Sequence, residues 1–258
     1  METRFRSRIR TPSVNSWFKR YNIRMRVIHK IAKLVDGSAW LSARNAYHRW
    51  WHPIQPQQVL SGIDLAGLER IREKFSVPGE RTHWPKYVDA DRWLRLNIRR
   101  AQELRLTARP APLRILDLGS GAGYFLLVAR YLGHSGIGVD IPEPAMYAEL
   151  FELFKLKRVV WEIKAYEPLP GLGERFDLVT AFSICFNGHK RADLWTAKEW
   201  AFLLDDLRTR FLRPGGEIFL GMNPEEDDSF YTPALKQFFI ERGAQIERWK
   251  VWFRGIGG

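Results

Sequence analysis

Residues 113–125, LRILDLGSGAGYF, constrain the fold more than any other stretch of the chain. Leu113 to Leu118 is a short apolar run that reads as a buried strand, and the residues from Tyr124 to about Leu132 read as a helix. Between them Gly119, Gly121 and Gly123 recur at every second position. Glycines in such a turn let a ligand lie against the backbone without meeting a side chain. The helix that follows offers free N–H groups and a partial positive charge. The spacing G-x-G-x-G is not the dinucleotide fingerprint G-x-G-x-x-G, whose third glycine would fall on Tyr124. A P-loop is excluded as well, because no Gly-Lys-Ser/Thr follows.

The rest of the C-terminal part repeats the strand–helix rhythm. Gly136–Asp140, Val159–Ile163, Phe176–Phe182 and Glu217–Met222 read as further strands, with a last one over 244–253. Helices are predicted at 144–156, 196–212 and about 232–242, the second stopping at Arg213-Pro214-Gly215-Gly216. Buried strands alternating with helices predict an α/β fold. It is a doubly wound, mainly parallel sheet of six to seven strands, covered on both faces. With one strand's worth of sequence after about Ala244, the sheet edge should be trimmed. In such sheets a ligand binds outside the carboxyl ends of the strands, where strand order reverses; the first and fourth strands should flank that point.

The break at Arg109-Pro110-Ala111-Pro112 divides this domain, 111–258, from a helical N-terminal extension, 1–110. The formal charge of +12 resides in the extension, which carries 23 Lys+Arg against 9 Asp+Glu. That asymmetry suits an anionic partner or a solvated basic face. Segment 14–34 places Trp17, Tyr21, Ile28, Ile31 and Leu34 near helical spacing with Arg and Lys between them. Such a helix docks on the protein or lies peripherally on an anionic membrane. Segments 56–75 and 88–107 are also amphipathic, the latter with Asp89 or Asp91 as a cap. Trp50, Trp51, Trp84 and Trp93 make the extension aromatic, as core or lid packing or as a stacking surface beside Arg. No apolar run approaches the roughly 20 residues of a membrane span. The charged first ten residues do not read as a secretory signal. A single cysteine, Cys185, permits no intrachain disulfide and suggests no metal site, so a cytoplasmic setting is expected.

Asp140 ends the second strand, 23 residues after Asp117. A carboxylate there can accept both hydroxyls of an unphosphorylated ribose, and Ile141 can pack on an adenine face. Taken with the glycine turn, these residues make 113–252 resemble the class I S-adenosylmethionine-dependent methyltransferases. DLGSGAGYF is similar to the family's first motif and GIGVDI to its second-strand end. Phe176-Asp177-Leu178-Val179 is similar to its fourth-strand motif, and Leu212-Arg213-Pro214-Gly215-Gly216 to the turn before its fifth strand. The resemblance implies S-adenosyl-L-methionine as cofactor and S-adenosyl-L-homocysteine as product. Asp117 and the backbone of Gly119, Ser120, Gly121, Ala122 and Gly123 would hold the methionine part, and Asp140 the ribose. Ala165 and Tyr166 fall where the family contacts the adenine edge, with Ala165 in place of the usual acid. Phe182 would face the methyl group.

Methyl transfer from a sulfonium mainly requires that the reactants be positioned, and a base is needed only when the acceptor must lose a proton. The segment after the fourth strand, Phe182 to His189, offers His189 as base and Asn187 to orient an acceptor, with Asn223 and Glu225 behind them. Cys185 reads as a small buried residue. The sequence around Asn187 is not Asp/Asn-Pro-Pro-aromatic, the signature of enzymes that methylate exocyclic amino groups of bases. A small-molecule or glycan-type acceptor under a helical lid is the leading expectation. The alternatives are an RNA methyltransferase gripping phosphates with the basic extension, and a non-catalytic cofactor-binding or membrane-peripheral protein.

Overall fold

The computed structural model describes residues 53–76 and 84–256, together with 46–47 and 50–51. The predicted helix at 14–34 lies outside the described residues, as does the Trp84 side chain. The chain divides into two compact units, Met1–Trp51 and His52–Gly258. In the first, the Trp51 ring lies 5.9 Å from that of Tyr47 and 5.2 Å from that of Trp50.

The second unit opens with three helices, α1 (Pro56–Leu60), α2 (Leu65–Phe75) and α3 (Ala90–Glu103). Of the two candidate caps, Asp89 starts α3, its carboxylate accepting from Arg92 N at 3.1 Å. Then follow β1 (Arg114–Leu118), α4 (Tyr124–Tyr131), β2 (Ser135–Asp140), α5 (Ala145–Leu153), β3 (Lys157–Val160) and β4 (Phe176–Ile184). The chain continues through α6 (Ala197–Asp206), β5 (Leu212–Met222), α7 (Pro233–Glu241), β6 (Gln245–Glu247) and β7 (Lys250–Phe253). A π-helical turn, Leu207–Phe211, extends α6 to the start of β5. No described helix is long and apolar enough to cross a membrane.

The seven strands order β3-β2-β1-β4-β5-β7-β6, parallel except for β7, which runs antiparallel to both β5 and β6. The expected trimmed edge is corrected here. Two strands fit into 245–253 because Arg248 adopts a left-handed φ of 54° in a two-residue turn. β3 stops at Val160, short of the predicted Ile163, because β2, its only neighbour among the described residues, ends at Asp140. After a last bond from Trp161 N to Asp140 O at 2.8 Å, the chain leaves the sheet.

Alternate residues of the central strands serve two cores, as strand geometry demands. Ile115, Leu178 and Phe219 face α1 to α5, whereas Leu116, Val179, Ile218 and Leu220 face α6 and α7. Helices 56–103 therefore share a core with α4 and α5. A half-buried network adds a polar tie at the opposite end of the sheet. Arg109 donates to both oxygens of Glu217, at 2.7 and 3.1 Å, and Trp252 Nε1 donates to Glu217 at 2.9 Å.

Candidate cofactor and acceptor site

The strand order reverses between β1 and β4, and a cavity of about 670 Å³ opens at their carboxyl ends. Its floor is the glycine turn. Gly119 N and Ser120 N both donate to Val139 O, at 2.8 and 3.2 Å, which holds the turn against the end of β2. Gly119 has φ of 65°, and a Cβ there would meet no protein atom within 4 Å, only the cavity. Gly123 caps α4 with φ of 76°, and a Cβ there would strike the Phe151 ring at 2.8 Å. The first glycine thus leaves room for a ligand, and the last leaves room for the core.

Asp140 stands at the end of β2 with its carboxylate accepting from Gly121 N and from Ile141 N, the latter at 2.8 Å. Burial raises its pKa, and the two amides pull the other way. The amides leave lone pairs on the carboxylate for ligand hydroxyls. Ser120 Oγ is buried in the cavity floor without a partner, and Ile141 is 43% exposed in the wall. An orphan hydroxyl, an acid at a strand end, a bare apolar face and open space over Gly119 fit an adenosyl amino-acid ligand.

Among the predicted cofactor contacts, Gly119, Ser120, Gly121, Ala122, Asp140, Ile141, Ala165 and Phe182 line the cavity. Asp117, Gly123 and Tyr166 do not. Asp117 lies beneath the floor, 2% exposed, accepting from Thr180 Oγ1 at 2.6 Å. Burial pushes its pKa up to about 7, against the pull of the Thr180 hydroxyl and the Arg100 charge. Tyr166 turns outward and donates to Glu199 at 2.6 Å. The acid on that wall is Glu162, three residues before Ala165.

Neither expected catalytic residue reaches the cavity. His189 faces Glu225, Nδ1 to Oε1 at 3.2 Å, and Glu225 also accepts from Lys190 N at 2.7 Å. The acid behind the fifth strand therefore draws the imidazole away. Asn187 is buried, its backbone carbonyl accepting from Trp195 N at 2.9 Å and its side-chain Oδ1 without a partner among the described residues. Asn223 donates to Ile184 O at 3.0 Å and Cys185 Sγ at 3.2 Å, fixing the exit of β4. Cys185, expected buried, is exposed and lines the cavity. No described group of three His, Cys, Asp or Glu side chains is placed to hold a metal ion.

The sequence reading named Trp93 and a helical lid, but not the residues that complete this wall from α3 and the turn before it: Tyr87, Asn97 and Arg100. A signal was present, since Trp93, Asn97 and Arg100 are spaced i, i+4, i+7 on one helix face beside the core face of Leu94, Ile98 and Ala101. The Tyr87 and Trp93 rings stack at 4.7 Å, and Trp93 Nε1 donates to Lys86 O at 2.7 Å. Arg100 lies over the Phe182 ring at 4.5 Å and donates to Asn97 Oδ1 and Ser183 Oγ, each at 3.1 Å. Ser183 has a left-handed φ of 54° at the register shift between Phe182 and Ile184. Such a bulge re-aims a side chain, here into the cavity.

A sheet of this order with its seventh strand reversed, a glycine turn after β1 and an acid ending β2 define a class I S-adenosylmethionine-dependent methyltransferase. The family model described as "Methyltransferase domain" matches residues 90–252, and the chain belongs to that family. A ribosomal protein L11 methylase from Lactobacillus delbrueckii subsp. bulgaricus is similar at 20% identity and a TM-score of 0.39, over 63% of this chain and 77% of that one. An amino pentose methyltransferase from Micromonospora echinaspora is similar at 25% identity and 0.39, over 55% and 58%. The glycopeptide N-methyltransferase MtfA is similar at 19% identity and 0.38, over 53% and 62%. A search of curated proteins returns no match.

Proposed function

We propose that this chain binds S-adenosyl-L-methionine over the Gly119–Gly121 turn and transfers its methyl group to a small-molecule or glycan-type acceptor. The observation that carries the reading is a single cavity whose lining runs from Asp140 and Ile141, across the glycine turn, to Phe182, Ser183 and the α3 face. Cofactor and acceptor would share it, with the helical segment before β1 as the roof. When bound, the cofactor supplies a methyl group already activated on sulfur, so the protein's task is alignment and exclusion of water.

Each wall has a part in that task. Asp140 accepts the ribose hydroxyls while Gly121 N and Ile141 N hold its carboxylate still. Ser120 Oγ, which has no partner among the described residues, meets the amino-acid end. Phe182 and Phe125, with ring centroids 4.7 Å apart, pack the transfer end, and Tyr87 and Trp93 flank the acceptor. With no imidazole in the lining, the acceptor fits best as a group that attacks without first losing a proton to a histidine.

Calorimetric titration with S-adenosylhomocysteine tests the cofactor half. Wild type should bind at micromolar Kd, and Asp140→Ala should weaken binding at least about tenfold, through loss of charge-assisted hydrogen bonds. A folded wild type that does not bind would overturn the reading. Transfer of labelled methyl to a panel of small amines, sugars and carboxylic acids, run beside total RNA, tests the acceptor half. Label in RNA alone would overturn it.

A further inference from the structure

We infer that Arg100 anchors a carboxylate at the transfer end of the cavity, an inference that rests on the cofactor-site reading above. Arg100 is the one cavity-lining cation that α3 contributes, and it is only partly exposed. Among the described residues it forms no ion pair. Its partners are neutral: the Asn97 amide, the Ser183 hydroxyl and the Phe182 ring face. The other basic residues of the lining differ. Arg191 is paired with Asp193 at 2.9 Å and Lys164 with Glu162 at 3.0 Å, and both pairs are well exposed.

The carboxyl groups whose charge Arg100 feels do not neutralise it. Asp117 lies under the floor, bonded to Thr180, and Glu103 pairs with Lys250 at 3.4 Å. Burial lowers the Arg100 pKa against the opposing pull of both acids. A guanidinium withdrawn from water without a counter-ion is unfavourable, and an incoming anion removes that cost. The surroundings select the kind of anion. Guanidinium is a planar fork that matches a carboxylate with two parallel N–H bonds. Ser183 Oγ accepts from Arg100, which leaves its own hydrogen to point at a second acceptor. Re-aiming at the β4 bulge puts that hydroxyl beside the guanidinium. Flat aromatic walls at Tyr87, Trp93 and Phe182 complete a slot for a planar anion.

That carboxylate has two possible sources: the amino-acid end of the cofactor and the acceptor itself. If the acceptor carboxylate is the nucleophile, the step balances without a base. A carboxylate oxygen pair forms the O–CH₃ bond, the S–CH₃ bond breaks, and its electron pair stays on sulfur as the neutral thioether. The products are a methyl ester and S-adenosylhomocysteine, and no proton moves.

Arg100→Gln removes the charge and the terminal fork and leaves a shorter, neutral polar side chain. Two titrations separate the sources. S-adenosylhomocysteine carries the carboxylate, and 5′-methylthioadenosine is the same nucleoside thioether without the amino-acid end. If the cofactor supplies the anion, Arg100→Gln weakens the first at least about tenfold and leaves the second unchanged. If the acceptor supplies it, both nucleosides bind as in wild type. Millimolar benzoate then raises the Tm of wild type saturated with S-adenosylhomocysteine, and that rise is lost in Arg100→Gln. Equal weakening of both nucleosides, or unchanged binding with no benzoate effect, would overturn the inference. If wild type binds neither nucleoside the cofactor reading falls instead, and benzoate added to the free protein decides Arg100. The Tm of the free variant, at or above that of wild type, checks that it folds.

Discussion

Asp117→Asn should stabilise the chain above pH 7 and destabilise it at pH 4. The Asp117 carboxyl is 2% exposed, and burial raises its pKa from 3.8 to about 7. Between those values the folded chain keeps a proton that the unfolded chain has lost. Stability therefore falls as pH rises from about 4 to about 7 and is level above that. An interval of about 3 pH units at 1.36 kcal/mol each makes the cost about 4 kcal/mol. Asparagine keeps an oxygen for the Thr180 hydroxyl, now at 2.6 Å from Oδ1, and carries no charge. Its amide N–H₂ lacks a partner, which returns about 1–3 kcal/mol. A net gain of about 1–3 kcal/mol at pH 8 should remain, turning to a loss of about 1–3 kcal/mol at pH 4, where no charge cost is relieved. Urea unfolding of both proteins at pH 4.5, 6, 7 and 8 reads this directly. The difference in stability should climb with pH by up to about 1.4 kcal/mol per unit and flatten above 7. A flat difference across the range would refute a carboxyl that titrates near neutrality.

Three further outcomes are expected. Gly123→Ala should lower stability by about 1–3 kcal/mol in a thermal melt, because the new methyl group strikes Phe151 at 2.8 Å on a backbone with φ of 76°. Arg109→Ala should cost about 1–3 kcal/mol by leaving Glu217 with Trp252 alone, and should change the affinity for S-adenosylhomocysteine by less than about twofold, since the network lies at the far end of the sheet. His189→Gln should keep methyl transfer within about threefold of wild type; a loss of a hundredfold or more would restore His189 as the base.

The sequence already carried the elements that depend on neighbours along the chain. Leu113–Leu118, the glycine turn and Asp140 were legible because strand periodicity, turn chemistry and the end of a strand are local properties. The flanking of the site by β1 and β4 followed from the general behaviour of parallel sheets. The hairpin of β6 and β7 was not legible, since Arg248 takes a left-handed φ without being glycine. The length of β3 was set by the partner strand it borders. At the site the division is the same. Gly119 and Asp140 line the cavity, whereas His189 turns to Glu225, 36 residues away. Arg100 meets Ser183 across 83 residues. Which side chain faces the cavity and which is claimed by a closer partner is decided by tertiary packing, because each polar group goes to whatever donor or charge the fold brings within reach.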